Sequence, residues 1–271
     1  MRLYRLANLL NLDVALGALG SMILAASACK APLPFAWFVL LPLAVWATYT
    51  LDHVLDGMRL PSISAAPRHQ LARHHALVLT IGVGFTVATL CVGGVLLLPK
   101  RILWLSGIVG IITLAHVGAA YAEWYQALPL FSKELAVAAL YSAGTWGGPL
   151  LVSRSFSLPA MLLSVIFFLI VILNLGLFQW FEHQHEAQST LNGQRRAPVR
   201  HLIDIVFLGL LVALVSAFLL APATHTRELL LLTVMGGVLW TMRCEPAYFL
   251  QYERFRVVGD GVFLLPLFLL L

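Results

Sequence analysis

Charged residues are scarce in this chain of 271 residues. Asp, Glu, Lys and Arg together make up 11% of the sequence, whereas hydrophobic residues make up 61%. A soluble domain is about one-quarter charged, so a globular protein of this composition would lack the polar surface that it needs in water. The mean hydropathy of +0.91 indicates that the lipid bilayer is the solvent for this chain.

Cysteine is also scarce, and its three positions are far apart. Cys29, Cys91 and Cys244 form no Cys-x-x-Cys pair, so neither a disulfide framework nor a zinc site is implied. The sequence contains no linker, low-complexity run or soluble domain. We therefore expect a single transmembrane domain over residues 1–271.

The net charge of +5 does not indicate a nucleic-acid partner, because the basic residues lie in short loops between apolar runs. We interpret them as determinants of membrane topology. The N-terminus and the even-numbered loops hold 12 of the 17 Lys and Arg residues, and the opposite loops hold 5. The positive-inside rule then predicts a cytoplasmic N-terminus, in a multi-pass protein of the cell inner membrane.

Nine apolar stretches approach the ~20 residues that a helix needs to cross the hydrocarbon core. They predict an all-α bundle of about nine transmembrane helices. The first could instead be a signal peptide ending at Ala26–Ala28, but Asn11 and Asp13 interrupt its apolar run and many spans follow. The predicted spans cover residues 9–29, 33–55, 76–98, 102–124, 135–152, 158–181, 202–221, 228–242 and 257–271.

The ends of the second and sixth predicted spans carry pairs of acids four residues apart. Asp52 and Asp56 end span 2, and Glu182 and Glu186 end span 6. Residues three or four apart share one face of a helix, where two like charges repel each other. A divalent cation would turn this repulsion into attraction, and magnesium prefers one or two carboxylates together with substrate phosphates. The alternative is that these acids only solvate helix ends at the membrane interface.

Acids after helices 2 and 6 of a nine-helix bundle resemble the UbiA superfamily of intramembrane prenyltransferases. That family typically has Asn-Asp-x-x-Asp-x-x-x-Asp after helix 2 and an Asp-x-x-x-Asp-type motif after helix 6. Asp52 and Asp56 match the last two acids of the first motif, and Glu182 and Glu186 match the second motif with glutamates. The Asn-Asp pair of the family falls on Thr48-Tyr49, so one acid of the first motif is missing.

The resemblance implies transfer of a prenyl group from an isoprenoid diphosphate to an aromatic or lipid-like acceptor. The four acids would hold Mg²⁺, which would neutralise the leaving diphosphate. Lys133, the only base in the loop after span 4, would contact the diphosphate. Asn8 and Asn11 share a face and would either line the cavity or hydrogen-bond neighbouring helices. The residues predicted to bind the substrate are Tyr49, His53, Asn11, Lys133, Asn174, His185 and Arg59.

Other functions account for parts of the sequence. A histidine-box oxygenase or desaturase would hold iron with imidazoles, but His69-x4-His74-His75 does not have the usual box spacing. A terpene cyclase or an inactive member of the same fold would keep the helices and change the chemistry. A transporter would place acids in the middle of spans, where this chain has almost none.

Overall fold

A computed structural model describes residues 7–59, 67–122, 124–127, 132–153, 157–189, 197–220 and 223–270. Within these ranges the chain is almost entirely helical and has no strand, which confirms the prediction of an all-α bundle. Seven of the described helices are long and apolar enough to cross a membrane. They are consistent with an integral membrane protein that crosses the bilayer several times.

Eleven α-helices follow one another along the described chain. Seven of them, α1, α2 and α4 to α8, are the candidate spans. Short 3-10 helices cover Trp124–Ala127, Ala223–His225 and Gln251–Glu253, and a longer one covers Val262–Leu270. The α-helices are α1 (Leu12–Cys29), α2 (Phe35–Arg59), α3 (Pro67–His74), α4 (Ala76–Leu97), α5 (Lys100–Tyr121), α6 (Ser132–Val152), α7 (Leu158–Ser189), α8 (Ala197–Leu220), α9 (Thr226–Cys244), α10 (Pro246–Leu250) and α11 (Arg254–Gly261).

The last two predicted spans differ from the other seven. Span 8, predicted at 228–242, lies within α9, which is 19 residues long but carries three charged residues near its ends. Span 9, predicted at 257–271, is divided between the eight-residue helix α11 and the 3-10 helix Val262–Leu270, which contains Pro266. The count of nine membrane-crossing helices is therefore not confirmed.

The buried core of the bundle follows one face of α7. Leu163, Ile166, Phe167 and Ile170 are all fully buried, and their spacing of three and four residues places them on the same side of the helix. Helix α7 packs against α6, α8 and α9. The core therefore fixes the direction in which α7 leaves the bundle at its polar C-terminal end.

Helix α1 packs closely against the C-terminal 3-10 helix as well as against α2 and α6. A Cβ atom on Gly20 would lie 2.5 Å from the carbonyl oxygen of Phe263 and would collide with it. Glycine at this position therefore lets the C-terminal segment lie directly on α1.

Helices α4 and α5 form an outer layer, in which α4 packs on α2 and α5 packs on α6. Their outward side chains are large and apolar: Leu77, Phe85 and Trp104 are each about three-quarters exposed. An apolar surface of this extent is unfavourable in water and favourable in lipid.

Candidate active site

A cavity of about 170 Å³ lies between α1, α2, α6, α7 and α11. Part of its wall is apolar and comes mainly from α6 and α7, including Val137, Val171 and Phe178. The other part is polar and comes from the start of α1, the C-terminal part of α2, single positions of α6 and α7, and α11. Its polar residues are Asn8, Asn11, Asp13, Tyr49, Asp52, His53, Tyr141, Asn174, Glu182, Arg256 and Asp260.

Six residues that the sequence predicted as site residues line this one cavity. They come from the chain immediately before α1 and from the two helices that carry the paired acids. Because Asp52 and Glu182 are both among them, the C-terminal parts of α2 and α7 meet at a single pocket. The six residues are Asn11, Tyr49, Asp52, His53, Asn174 and Glu182.

The other predicted site residues are placed elsewhere or fall outside the described part of the chain. Asp56 lies in α2 and Lys133 is exposed near the start of α6, and neither lines the cavity. Arg59, His185 and Glu186 belong to α2 and α7 by their backbones, but their side chains lie outside the described residues. Their roles stay predictions.

The start of α1 turns sharply at Asn11, whose φ of 57° lies in the left-handed region. Asparagine tolerates this conformation better than most residues that have a Cβ atom. The Asn11 side-chain amide donates a hydrogen bond to Thr50 Oγ1 at 3.4 Å, and the Asn8 amide donates one to Asp13 Oδ2 at 2.6 Å. Both roles that we considered for Asn11 therefore occur together, since it lines the cavity and also bonds a neighbouring helix.

Helix α11 supplies two charged residues, Arg256 and Asp260, that were not predicted as site residues from the sequence. Arg256 Nη2 donates to Glu182 Oε1 at 2.8 Å, and Arg256 Nε lies 3.5 Å from Glu253 Oε2. Side-chain exposure is 13% for Arg256 and 42% for Glu182. The ion pair thus connects the end of α7 to α11 at the wall of the cavity. The signal that could have found these residues is the spacing of Arg256 and Asp260, which puts both on one helical face.

The turn before α11 sets the direction in which this helix approaches the cavity. Tyr252 and Glu253 both have left-handed backbones, with φ of 57° and 53°. This conformation costs residues with a Cβ atom about 1–2 kcal/mol each, so contacts around the turn must hold it. One such contact is made by the Arg254 guanidinium, which lies 4.2 Å from the ring centroid of Tyr248.

Helix α11 passes close to α7 at Gly259. A Cβ atom there would lie 2.6 Å from Asn174 Oδ1 and 2.7 Å from Phe178 Cζ, and both of those residues line the cavity. The absence of a side chain at Gly259 therefore allows α11 to close this side of the pocket.

The described wall of the cavity carries four carboxylates and one guanidinium, a formal net charge of about −3 with neutral histidine. The acids are Asp13, Asp52, Glu182 and Asp260, and the base is Arg256. A wall of this charge attracts cations and repels a diphosphate that arrives without a counter-ion.

The described residues contain no group of three or more His, Cys, Asp or Glu side chains placed to hold a metal ion. Magnesium does not require such a group, since it is commonly held by one or two carboxylates plus the phosphates of a substrate. Asp52 at the cavity wall fits this arrangement. Glu182 fits less well, because a guanidinium already contacts its Oε1.

The histidines of the described chain do not gather at one point. His53 lines the cavity, whereas His183 is exposed on α7. His74 and His75 are exposed at the α3–α4 junction, with ring centroids 5.3 Å apart. The side chains of His69 and His185 lie outside the described residues. The described histidines therefore give no support to an iron-binding histidine box.

Comparison of the chain with protein-family models gives no match. Curated proteins and solved structures also give none. The resemblance to the UbiA superfamily thus rests on the sequence alone, through its paired acids and the helices predicted from its apolar runs.

Proposed function

We propose that the protein is an intramembrane prenyltransferase of the UbiA type, which transfers a prenyl group from an isoprenoid diphosphate to an aromatic or lipid-like acceptor. The observation that carries this proposal is the cavity that Asp52 and Glu182 share. An isoprenoid diphosphate has a charged head and an apolar tail, and the wall of the cavity contains both charged and apolar side chains.

Magnesium is part of the proposal because the wall is negative. A diphosphate bound together with divalent cations no longer meets net repulsion from four carboxylates. Asp52, with Asp56 on the same helical face, would hold the metal together with phosphate oxygens. When bound, the metal supplies the positive charge that neutralises the leaving diphosphate. We keep Glu186 as a predicted contributor.

The aromatic residues of the wall have a role of their own. Tyr49, Tyr141, Phe178 and Phe263 line the cavity. Ring faces stabilise a cation by about 0.5–2 kcal/mol each, so these rings would favour the allylic cation that develops as the bond to diphosphate breaks. They would also help to shield this cation from water, which competes with the acceptor.

The membrane topology belongs to the same proposal. We propose that α9 and the segment ending in Val262–Leu270 also cross the bilayer, which would complete nine spans. The N-terminus would then be cytoplasmic and the cavity would open toward the cytoplasm, where soluble isoprenoid diphosphates are available. The excess of basic residues at this side supports the orientation.

The test measures binding and cleavage of labelled prenyl diphosphates of several chain lengths by the detergent-solubilised protein, in the presence of a membrane lipid extract that supplies the acceptor, with and without magnesium. We expect magnesium-dependent release of diphosphate, which Asp52→Asn abolishes. Glu245→Gln removes an exposed acid outside the cavity and should retain release. Diphosphate release by Asp52→Asn at the wild-type rate, or release that does not depend on magnesium, would refute the proposal. A cyclised hydrocarbon formed without any acceptor would identify a terpene cyclase instead.

A further inference from the structure

We infer that Arg256 binds the diphosphate directly, and that Glu182 positions Arg256 instead of ligating a metal ion. The inference rests on the proposed function and specifies how the α7 side of the cavity recognises its substrate. It predicts one metal-binding side, at α2, and one guanidinium side, at α11.

The contacts of the Arg256 guanidinium involve two of its three nitrogen atoms. Nη2 bonds Glu182 and Nε faces Glu253, whereas Nη1 is buried and has no hydrogen-bond partner among the described residues. Nearly all buried polar groups in proteins are hydrogen-bonded. A guanidinium offers a planar fork of donors that matches phosphate oxygens, and Arg256 is the only base in the described wall of the cavity, so it is the residue of this wall with which a phosphate group would pair.

The Glu182 carboxylate already has a charge partner at 2.8 Å. A divalent cation bound to the same carboxylate would lie next to the guanidinium and would be repelled by it. Glu182 therefore suits the task of fixing the direction of Arg256, as carboxylates commonly do for guanidinium groups. In this arrangement Asp52 would ligate the metal-bound end of the diphosphate.

The test uses the full chain purified in detergent and inorganic pyrophosphate as the probe, titrated by calorimetry at a series of magnesium concentrations. Arg256→Gln should weaken pyrophosphate binding by about ten- to a hundredfold at saturating magnesium, the usual effect of losing a charge-assisted hydrogen bond. Arg256→Lys should lie between this variant and the wild type, because it keeps the charge and loses the fork.

Arg243 provides the matched control. It forms an ion pair with Asp204 at 3.0 Å, its side chain is 12% exposed, and it does not line the cavity. Arg243→Gln should therefore disturb the fold about as much as Arg256→Gln and leave pyrophosphate affinity unchanged.

Glu182→Gln separates the positioning role from metal ligation. We expect the magnesium concentration for half-maximal pyrophosphate binding to stay at the wild-type value in Glu182→Gln and to rise at least about tenfold in Asp52→Asn. A similar rise in both variants, or full affinity in Arg256→Gln, would overturn the inference and leave the proposed function standing. If the wild type binds no pyrophosphate at any magnesium concentration, the inference and the proposed function are both refuted. If Arg256→Gln does not elute as a folded protein, the pyrophosphate affinities of Arg256→Lys and Glu182→Gln test the inference instead.

Discussion

Alanine at Gly259 should destabilise the protein, whereas alanine at Gly261, in the same helix, should not. A Cβ atom at Gly259 meets Asn174 Oδ1 at 2.6 Å and Phe178 Cζ at 2.7 Å, and a Cβ atom at Gly261 meets nothing within 4 Å. Overpacking of this kind typically costs about 1–3 kcal/mol. Both substitutions gain about 0.5–1 kcal/mol of helix propensity, and this gain cancels in the comparison. The variants should therefore differ by about 1–3 kcal/mol.

Thermal unfolding of the two variants in the same detergent measures this difference, with the wild type as reference. Gly259→Ala should unfold at the lowest temperature of the three. It should also weaken ligand binding, because Asn174 and Phe178 must move within the cavity wall. Equal unfolding temperatures for the two variants would refute the close approach of α11 to α7, and with it the placement of Arg256 beside Glu182.

Three further predictions concern other parts of the molecule. Ser27→Ala should lower the stability by about 1–3 kcal/mol in thermal unfolding. The reason is that Ser27 Oγ donates a hydrogen bond to the buried Glu228 carboxylate at 2.5 Å and so joins α1 to α9. An unchanged melting temperature would contradict this contact. Asn11→Gly should be more stable than Asn11→Ala by about 1–2 kcal/mol, since φ is 57° there, and the reverse order would argue against the left-handed turn. In right-side-out vesicles, an impermeant maleimide should label Lys30→Cys, which the proposed topology places outside, and should not label Cys244, which it places in the cytoplasm. Both positions are exposed. The reverse labelling pattern would contradict the proposed topology.

The first seven spans were predictable because each is an apolar run of sufficient length between polar loops. Span 3, predicted at 76–98, corresponds to α4 at Ala76–Leu97. Span 6 was predicted to end at Phe181, whereas α7 continues to Ser189. The extra residues are polar but include good helix formers such as Glu, Gln and Ala, so hydropathy marks where the helix becomes polar and not where it ends.

The C-terminal part was less predictable because its structure depends on local backbone conformation. The residues after α9 include a kink at left-handed Tyr252 and Glu253, and residues of these types seldom adopt that conformation. Pro266 lies in the final apolar run, which is a 3-10 helix. An apolar run alone gives no sign of either feature.

The candidate site was predictable where chemistry and spacing coincide. Acids are few in this chain, so Asp52 and Glu182 at matching helix ends were conspicuous, and both line the cavity. Arg256 and Asp260 could not be assigned in the same way, because their place in the cavity depends on the approach of α11 to α7 at Gly259. From the sequence they were only charges near the start of the last predicted span.

The most direct test of the central claim is to locate a bound isoprenoid diphosphate on the chain. A photoreactive analogue, crosslinked in the presence of magnesium and mapped by peptide mass spectrometry, should modify residues 137–141 and 171–178 at the cavity wall. Excess inorganic pyrophosphate should suppress these adducts. Adducts spread over α4 and α5 and insensitive to pyrophosphate would contradict the claim.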